Sequence, residues 1–147
     1  MTQCPQSEVE KKEMNYVPHA NAIGSLMYAM VCSWPDIAHS VSVLSRFMAN
    51  LGREHWNGVK WLLRYVRGSL GVGLKFGVSK EGASITCYVD LDYAGDLDKR
   101  RSTISYIFTL FGGSVNWKSQ LQSIVALSTA EAEYITTTKV MKETLYL

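Results

Sequence analysis

Cysteine is scarce in this chain: Cys4, Cys32 and Cys87 are the only three among 147 residues, and they lie far apart. An odd, dispersed set argues against a disulfide framework and against a zinc knuckle, and it fits a reducing compartment. An excess of one charge is missing too. Fifteen basic and 13 acidic residues leave a formal net charge of +2, too balanced for a free-standing, strongly basic nucleic-acid binder, so any such binding must come from local patches. No apolar run approaches the ~18 residues of a membrane span, and Met1 to Lys12 is polar and charged without the apolar centre of a signal peptide. The expectation is a soluble chain with no membrane partner, not secreted, residing in the cytoplasm or nucleus. Low-complexity tracts and internal repeats are lacking, which excludes solenoids. His19, His39 and His55 have no clustered partners at metal-ligand spacing and are expected to be surface or hydrogen-bonded residues. No Gly-x-Ser-x-Gly nucleophile turn occurs.

What is present is 47% hydrophobic residues, enough to bury a core in one domain or two small ones. The apolar pattern changes period along the chain. Residues 14 to 69 repeat at three- and four-residue steps, which predicts three helices. The first spans Pro18 to Cys32 with Ile23, Met27 and Met30 inward. The second follows Pro35 and carries Ile37, Val41, Leu44 and Met48. The third begins near Arg53 and carries Trp56, Val59, Leu63 and Val66. On that third helix Arg53, Lys60, Arg64 and Arg67 share the face opposite the apolar stripe, either as a solvated face or as a rail that tracks phosphates.

From Gly71 the period becomes two, and strands are expected over 72–78, 84–91, 103–111 and 113–118. Gly112-Gly113 and the Asp96 to Lys99 loop are hairpin signals. Gly71-x-Gly73 precedes a strand with no helix after it, so it reads as a connector. A last helix over Thr129 to Leu147 starts from Ser128-x-x-Glu131, a capping box that accounts for Glu131, with Tyr134, Met141 and Leu145 as its inward face.

Acidic residues inside an apolar strand carry the strongest chemical signal. Asp90, flanked by Val89 and Leu91, costs desolvation energy unless the strand face is exposed or a divalent metal compensates it. Asp92 lies on the same face, ~7 Å along the strand. Three hairpin-linked strands followed by a helix can bring a helix carboxylate over the first strand. Glu133 is the candidate, because it points about 200° away from the capping residue Glu131. Two carboxylates remain too few for a two-Mg²⁺ site, which draws on about four.

Several longer stretches then carry a resemblance: Gly24-Ser25-Leu26-Met27-Tyr28, Pro35-Asp36-Ile37-Ala38, Leu44-Ser45-Arg46-Phe47, Glu54-His55-Trp56, Asp90-x-Asp92-Tyr93-Ala94-Gly95-Asp96, Trp117-Lys118-Ser119, and Ala126 through Tyr134. In these the chain resembles the Pol polyproteins of copia-type LTR retrotransposons, the tobacco Tnt lineage in particular, over nearly its whole length. The resemblance implies an α+β chain. Residues 1–70 would be the helical thumb and connection tail of a reverse transcriptase, and 71–147 the start of a ribonuclease H-like domain. It implies an RNA-DNA hybrid as partner, Mg²⁺ as cofactor, and Asp90 and Glu133 as catalytic, metal-binding carboxylates with Asp92 as a further donor.

Two more aspartates of the family pattern, on a fourth strand and a later helix, would lie beyond Leu147. Glu143, about 15 Å along the helix from Glu133, cannot stand in. Trp34 stands where Arg is usual, and Ser105 where Gly is usual. The expectation is therefore a chain inactive by itself. Its incomplete sheet would expose an edge and favour self-association. Two alternatives are a non-catalytic nucleic-acid-binding remnant, using Arg53, Lys60, Arg64 and Arg67 with Lys99, Arg100 and Arg101, and an inert product of a decayed element.

Overall fold

Capping chemistry and proline set the helix boundaries of the first half. The computed structural model describes residues 7–77 and 84–147; Cys4 and Val78 lie outside them. Ser7 adopts an extended backbone and its hydroxyl accepts from the Glu10 N–H at 3.2 Å, which starts α1 (Glu8–Asn15). Helix α2 (His19–Cys32) begins after Pro18. Pro35 opens a single 3₁₀ turn, Pro35–Ile37, that runs into α3 (Ala38–Ser45). Helix α4 (Arg53–Gly68) follows the extended Gly52, whose N–H donates to His55 Nδ1 at 3.0 Å.

The chain divides into two compact units, Met1–Leu74 and Lys75–Leu147. In the first, Ile23 and Leu26 of α2, Ile37 and Val41 around α3, and Val59 and Leu62 of α4 form one buried cluster. Met30, Trp34, Leu44, Trp56 and Val66 are half-buried around it. Each fully buried aliphatic side chain contributes about 1.5–3 kcal/mol. A Cβ at Gly58 would come within 2.9 Å of Leu44 Cδ2, so the glycine lets α3 approach α4 closely.

The structure corrects several sequence expectations here. Among the described residues of the first unit there are four α-helices, not three, because Ser7-x-x-Glu10 caps a short helix inside the polar N-terminal stretch. Met27, Met48 and Leu63 are turned outward, and Leu26 and Leu62 take the inward places. Residues 72–77 form no strand. Val72 N–H closes a turn onto Ser69 C=O at 2.9 Å, Gly77 N–H donates to Phe111 C=O at 2.8 Å, and Phe76 lies against Gly113, where a Cβ would overlap its ring.

The second unit is an antiparallel sheet of β1 (Ile85–Asp92), β2 (Thr103–Leu110) and β3 (Gly113–Leu121) in that order. Asp90 pairs with Ser105 and Ser105 with Ser119; Leu91 pairs with Ile104. The β2–β3 turn is Phe111-Gly112, both at positive φ (52° and 77°), one residue before the expected pair. That is the primed turn that matches strand twist. An irregularity at Phe108/Thr109 leaves Val115 as the extra residue of a bulge.

Helix α5 (Thr129–Thr144) buries Ala132, Thr136 and Val140, an i, i+4, i+8 stripe. Tyr134, Met141 and Leu145 point outward instead, Tyr134 being 75% exposed. Val140 joins Ile104, Tyr106 and Phe108, with Cys87 and Leu91 half-buried beside them. Burial, reinforced by the Glu143 carboxylate facing it, pushes the Tyr106 hydroxyl up to about 12. The whole chain is thus α+β, with five α-helices and one three-stranded antiparallel sheet among the described residues.

Candidate carboxylate site and basic surface

Strand register decides where the acidic residues point. Cross-strand partners share a face, so Cys87, Leu91, Ile104, Tyr106 and Phe108 form the side that Val140 of α5 covers. Asp90 leaves the sheet on the opposite side, with Ser105 and Ser119, whose hydroxyls hydrogen-bond to each other at 3.0 Å. Asp90 is exposed, so its desolvation is relieved by solvent. Asp92 alternates onto the same side, but its carboxylate folds back over Gly95, where a Cβ would overlap it. Glu133 is exposed on α5, one position on from the buried Ala132.

Glu131 does what its spacing predicts: its N–H donates to Ser128 Oγ at 3.1 Å. Its carboxylate accepts from the Leu127 N–H at 2.7 Å, one residue before the cap, completing the end of α5. Below that end lies a buried polar junction that sequence patterning missed. Gln122 donates through Nε2 to Ala132 C=O at 2.9 Å and to Thr136 Oγ1 at 3.2 Å. The Gln122 N–H donates to Ser102 C=O at 2.9 Å, and Ser102 Oγ accepts from the Ala94 N–H at 3.1 Å. The end of β3, the β1–β2 loop and the first turns of α5 are therefore fixed to one another.

Among the described residues, no three His, Cys, Asp or Glu side chains gather as a metal site. Two exposed carboxylates on one strand, one of them folded onto its own turn, do not fit a two-Mg²⁺ centre, which needs several converging oxygens.

The basic residues are distributed unevenly. Arg53 is held by Glu13 at 2.7 Å, and that pair raises its pKa further. Arg64 lies 5.0 Å over the exposed Trp61 ring, a cation-π contact. Lys60 is half-buried and Arg67 exposed, both opposite the buried stripe His55, Val59 and Leu62. Lys99 and Arg100 are exposed in a β1–β2 loop shaped by Asp96, whose side chain accepts from the Asp98 N–H at 3.2 Å; Arg101 is half-buried.

His39 is exposed and His55 accepts a hydrogen bond from the Gly52 N–H, as expected; His19 and His55 are buried, each 4% exposed. Burial pushes both imidazoles below their usual range; His55 lowers His19 further, and Glu54 partly opposes the shift at His55. Unfolding frees them to bind protons at the ordinary value of ~6.5, so stability is complete above that pH and declines as pH falls through the folded values. The melting midpoint is expected to drop between pH 7.5 and 5.5, and less so in the His19→Gln/His55→Gln variant. Identical pH slopes for the two proteins would refute this.

A helical unit joined to a small sheet capped by a helix defines the class, an α+β protein whose candidate chemistry is acidic and basic surface. Its relatives are specific. The chain is 54% identical over 144 residues to the retrovirus-related Pol polyprotein from transposon TNT 1-94 of Nicotiana tabacum, covering 98% of this chain and 11% of that one. It is 39% identical over 114 residues to the Pol polyprotein from transposon RE2 of Arabidopsis thaliana, covering 76% of this chain and 8% of that one. It is 42% identical over 135 residues to the secreted RxLR effector protein 161 of Plasmopara viticola, covering 91% of this chain and 94% of that protein. The chain belongs to the family of copia-type, retrovirus-related Pol polyproteins and shares nearly its whole extent with the Plasmopara protein. It spans about a tenth of the length of the transposon polyproteins it matches. No family model matches the chain, and no solved structure matches it significantly. No helix among the described residues is long and apolar enough to cross a membrane.

Proposed function

We propose that residues 71–147 are the opening part of a ribonuclease H domain of such a polyprotein, and residues 1–70 the thumb and connection tail of its reverse transcriptase. On this reading the chain contributes Asp90 and Glu133 to hybrid cleavage without assembling the centre itself. The observation that carries it is the order of elements: three antiparallel strands lead directly into a capped helix, with Asp90 on the first strand and Glu133 in the first turns of the helix. Hydrolysis of a labelled RNA-DNA hybrid with Mg²⁺ tests it. The chain alone is expected to release no product. Joined to the remainder of a relative's domain it is expected to gain Mg²⁺-dependent cleavage that Asp90→Asn and Glu133→Gln each abolish. Cleavage that survives both substitutions sinks the assignment.

A second reading, nucleic-acid binding without catalysis, is favoured by Lys60, Arg64 and Arg67 on the face of α4 that turns away from its core. In the same samples, anisotropy of the hybrid at low and high salt separates the two readings. Phosphate contacts weaken affinity by a log-log slope of about −0.9 per contact.

A further inference from the structure

The helical unit contains a cavity of about 510 Å³ between the Pro35–Ile37 turn, α3 and α4. On the α4 side it is lined by Gly58, Trp61, Leu62 and Tyr65, which stand at i, i+3, i+4 and i+7 and so share one face of the helix. Ile37, Val43 and Leu44 supply apolar wall from the opposite side, and Asp36 lines it from the turn.

Three features give this cavity a chemical preference. The first is charge: among the described residues that line it, Asp36 brings a carboxylate and no lysine or arginine occurs. A cation is therefore attracted and an anion repelled. The second is aromatic wall. Trp61 and Tyr65 lie one helical turn apart and are 68% and 52% exposed, large rings that the core of the unit does not use. The third is a fixed geometry between ring and charge, since the Tyr65 hydroxyl donates to Asp36 Oδ2 at 2.5 Å across 29 residues of sequence. That hydrogen bond, and then the carboxylate's charge, raise the Tyr65 pKa above its ordinary value, so the phenol stays protonated and keeps donating. The indole already shows its attraction for cations: Arg64, which does not line the cavity, lies 5.0 Å over the Trp61 ring.

We propose that this cavity binds a small organic cation, its alkylated ammonium head against the Trp61 and Tyr65 rings with Asp36 as counter-ion. The apolar body of the molecule would lie along Ile37, Val43 and Leu62. Aromatic faces attract such heads through the ring quadrupole, and alkyl groups spare the head the tight hydration of a simple ammonium. The volume lies within the range of small-molecule pockets, about 300–1,000 Å³. The site is independent of the ribonuclease reading, and its preference is opposite in sign to that of the exposed cations on α4, which suit phosphates.

The test is two-dimensional NMR of the tryptophan indole groups in the full chain, with the Trp61 signal assigned through Trp61→Phe. The probes are choline, the uncharged alcohol in which carbon replaces its nitrogen, and adenosine, all at constant ionic strength. Choline is expected to shift the Trp61 signal saturably, and the uncharged alcohol to bind at least about fivefold more weakly. Asp36→Asn, which keeps an acceptor for the Tyr65 hydroxyl and removes the charge, is expected to weaken choline about tenfold. The same variant should melt like the parent chain and bind an RNA-DNA hybrid with unchanged affinity, which separates failure here from failure of the nucleic-acid reading. Trp61→Ala, at an exposed position, should abolish the response of the Tyr65 ring signals to choline. Equal affinity for the uncharged alcohol, or unchanged choline affinity in Asp36→Asn, overturns the proposal. Displacement of choline by adenosine also overturns it, since the two rings would then be a stacking platform for a base.

Discussion

Phe108→Ala is expected to destabilise the sheet unit by about 3–5 kcal/mol, the usual cost of emptying a buried aromatic site. Phe108 is 1% exposed, sits on the central strand, and shares its face with Ile104, Tyr106 and Val140. Its ring meets Tyr106 edge to face at 5.6 Å between centroids. Collapse into the void is resisted on both sides, because β2 is hydrogen-bonded to β1 and to β3. Chemical denaturation followed by far-UV circular dichroism reads the effect. Tyr134→Ala, an aromatic truncation of similar size on α5, is expected to change stability by less than about 0.5 kcal/mol because Tyr134 lies in solvent. Equal losses in the two variants would mean that α5 is rotated from the orientation described.

That pair of residues also shows what the sequence could disclose. Period-two alternation located β1, β2 and β3 within a few residues, since a strand buried on one face writes its burial directly into the sequence. The capping box marks the start of α5, and the same Ser-x-x-Glu motif at Ser7 marks the start of α1. The inward face of α5 departs from the sequence expectation because small residues, not the large apolar ones, face the sheet. Where a helix lies close to a sheet, Ala132 and Thr136 are the residues that fit, and Thr136 is further held by Gln122. No alternation pattern marks Gln122 or Ser102, because their burial depends on contacts between distant segments.

The candidate site was legible only in part. Alternation placed Asp90 and Asp92 on one side of the strand, as the register has it. Which side α5 would cover is a tertiary choice, decided by where Ile104, Tyr106 and Phe108 find Val140. The basic stripe on α4 followed from helical angles alone, whereas the Glu13 partner of Arg53 lies 40 residues away and leaves no local signature. The burial of His19 and His55 was missed for the same reason: a histidine at a helix start reads as polar until the packing around it is known.

In the helical unit, Ile23→Ala is expected to cost about 2–5 kcal/mol and Met27→Ala no more than about 0.5 kcal/mol. Both positions were assigned inward from the sequence, at a four-residue step. Ile23 is fully buried against α3 and α4 residues, whereas Met27 is 39% exposed. A helix places both i+3 and i+4 beside residue i, so periodicity alone leaves the choice between Leu26 and Met27 open. The same ambiguity separates Leu62 from Leu63 on α4, and there too the structure takes the three-residue step. The two choices are coupled, because Leu26 and Leu62 belong to one cluster and turning either helix by a residue would withdraw its leucine from the other. Thermal melts of the four alanine variants at 23, 26, 27 and 63 therefore report helix phase. Large losses at Ile23 and Leu26 with small ones at Met27 and Leu63 are the expected pattern. A loss at Met27 as large as that at Leu26 would show α2 seated on its other stripe.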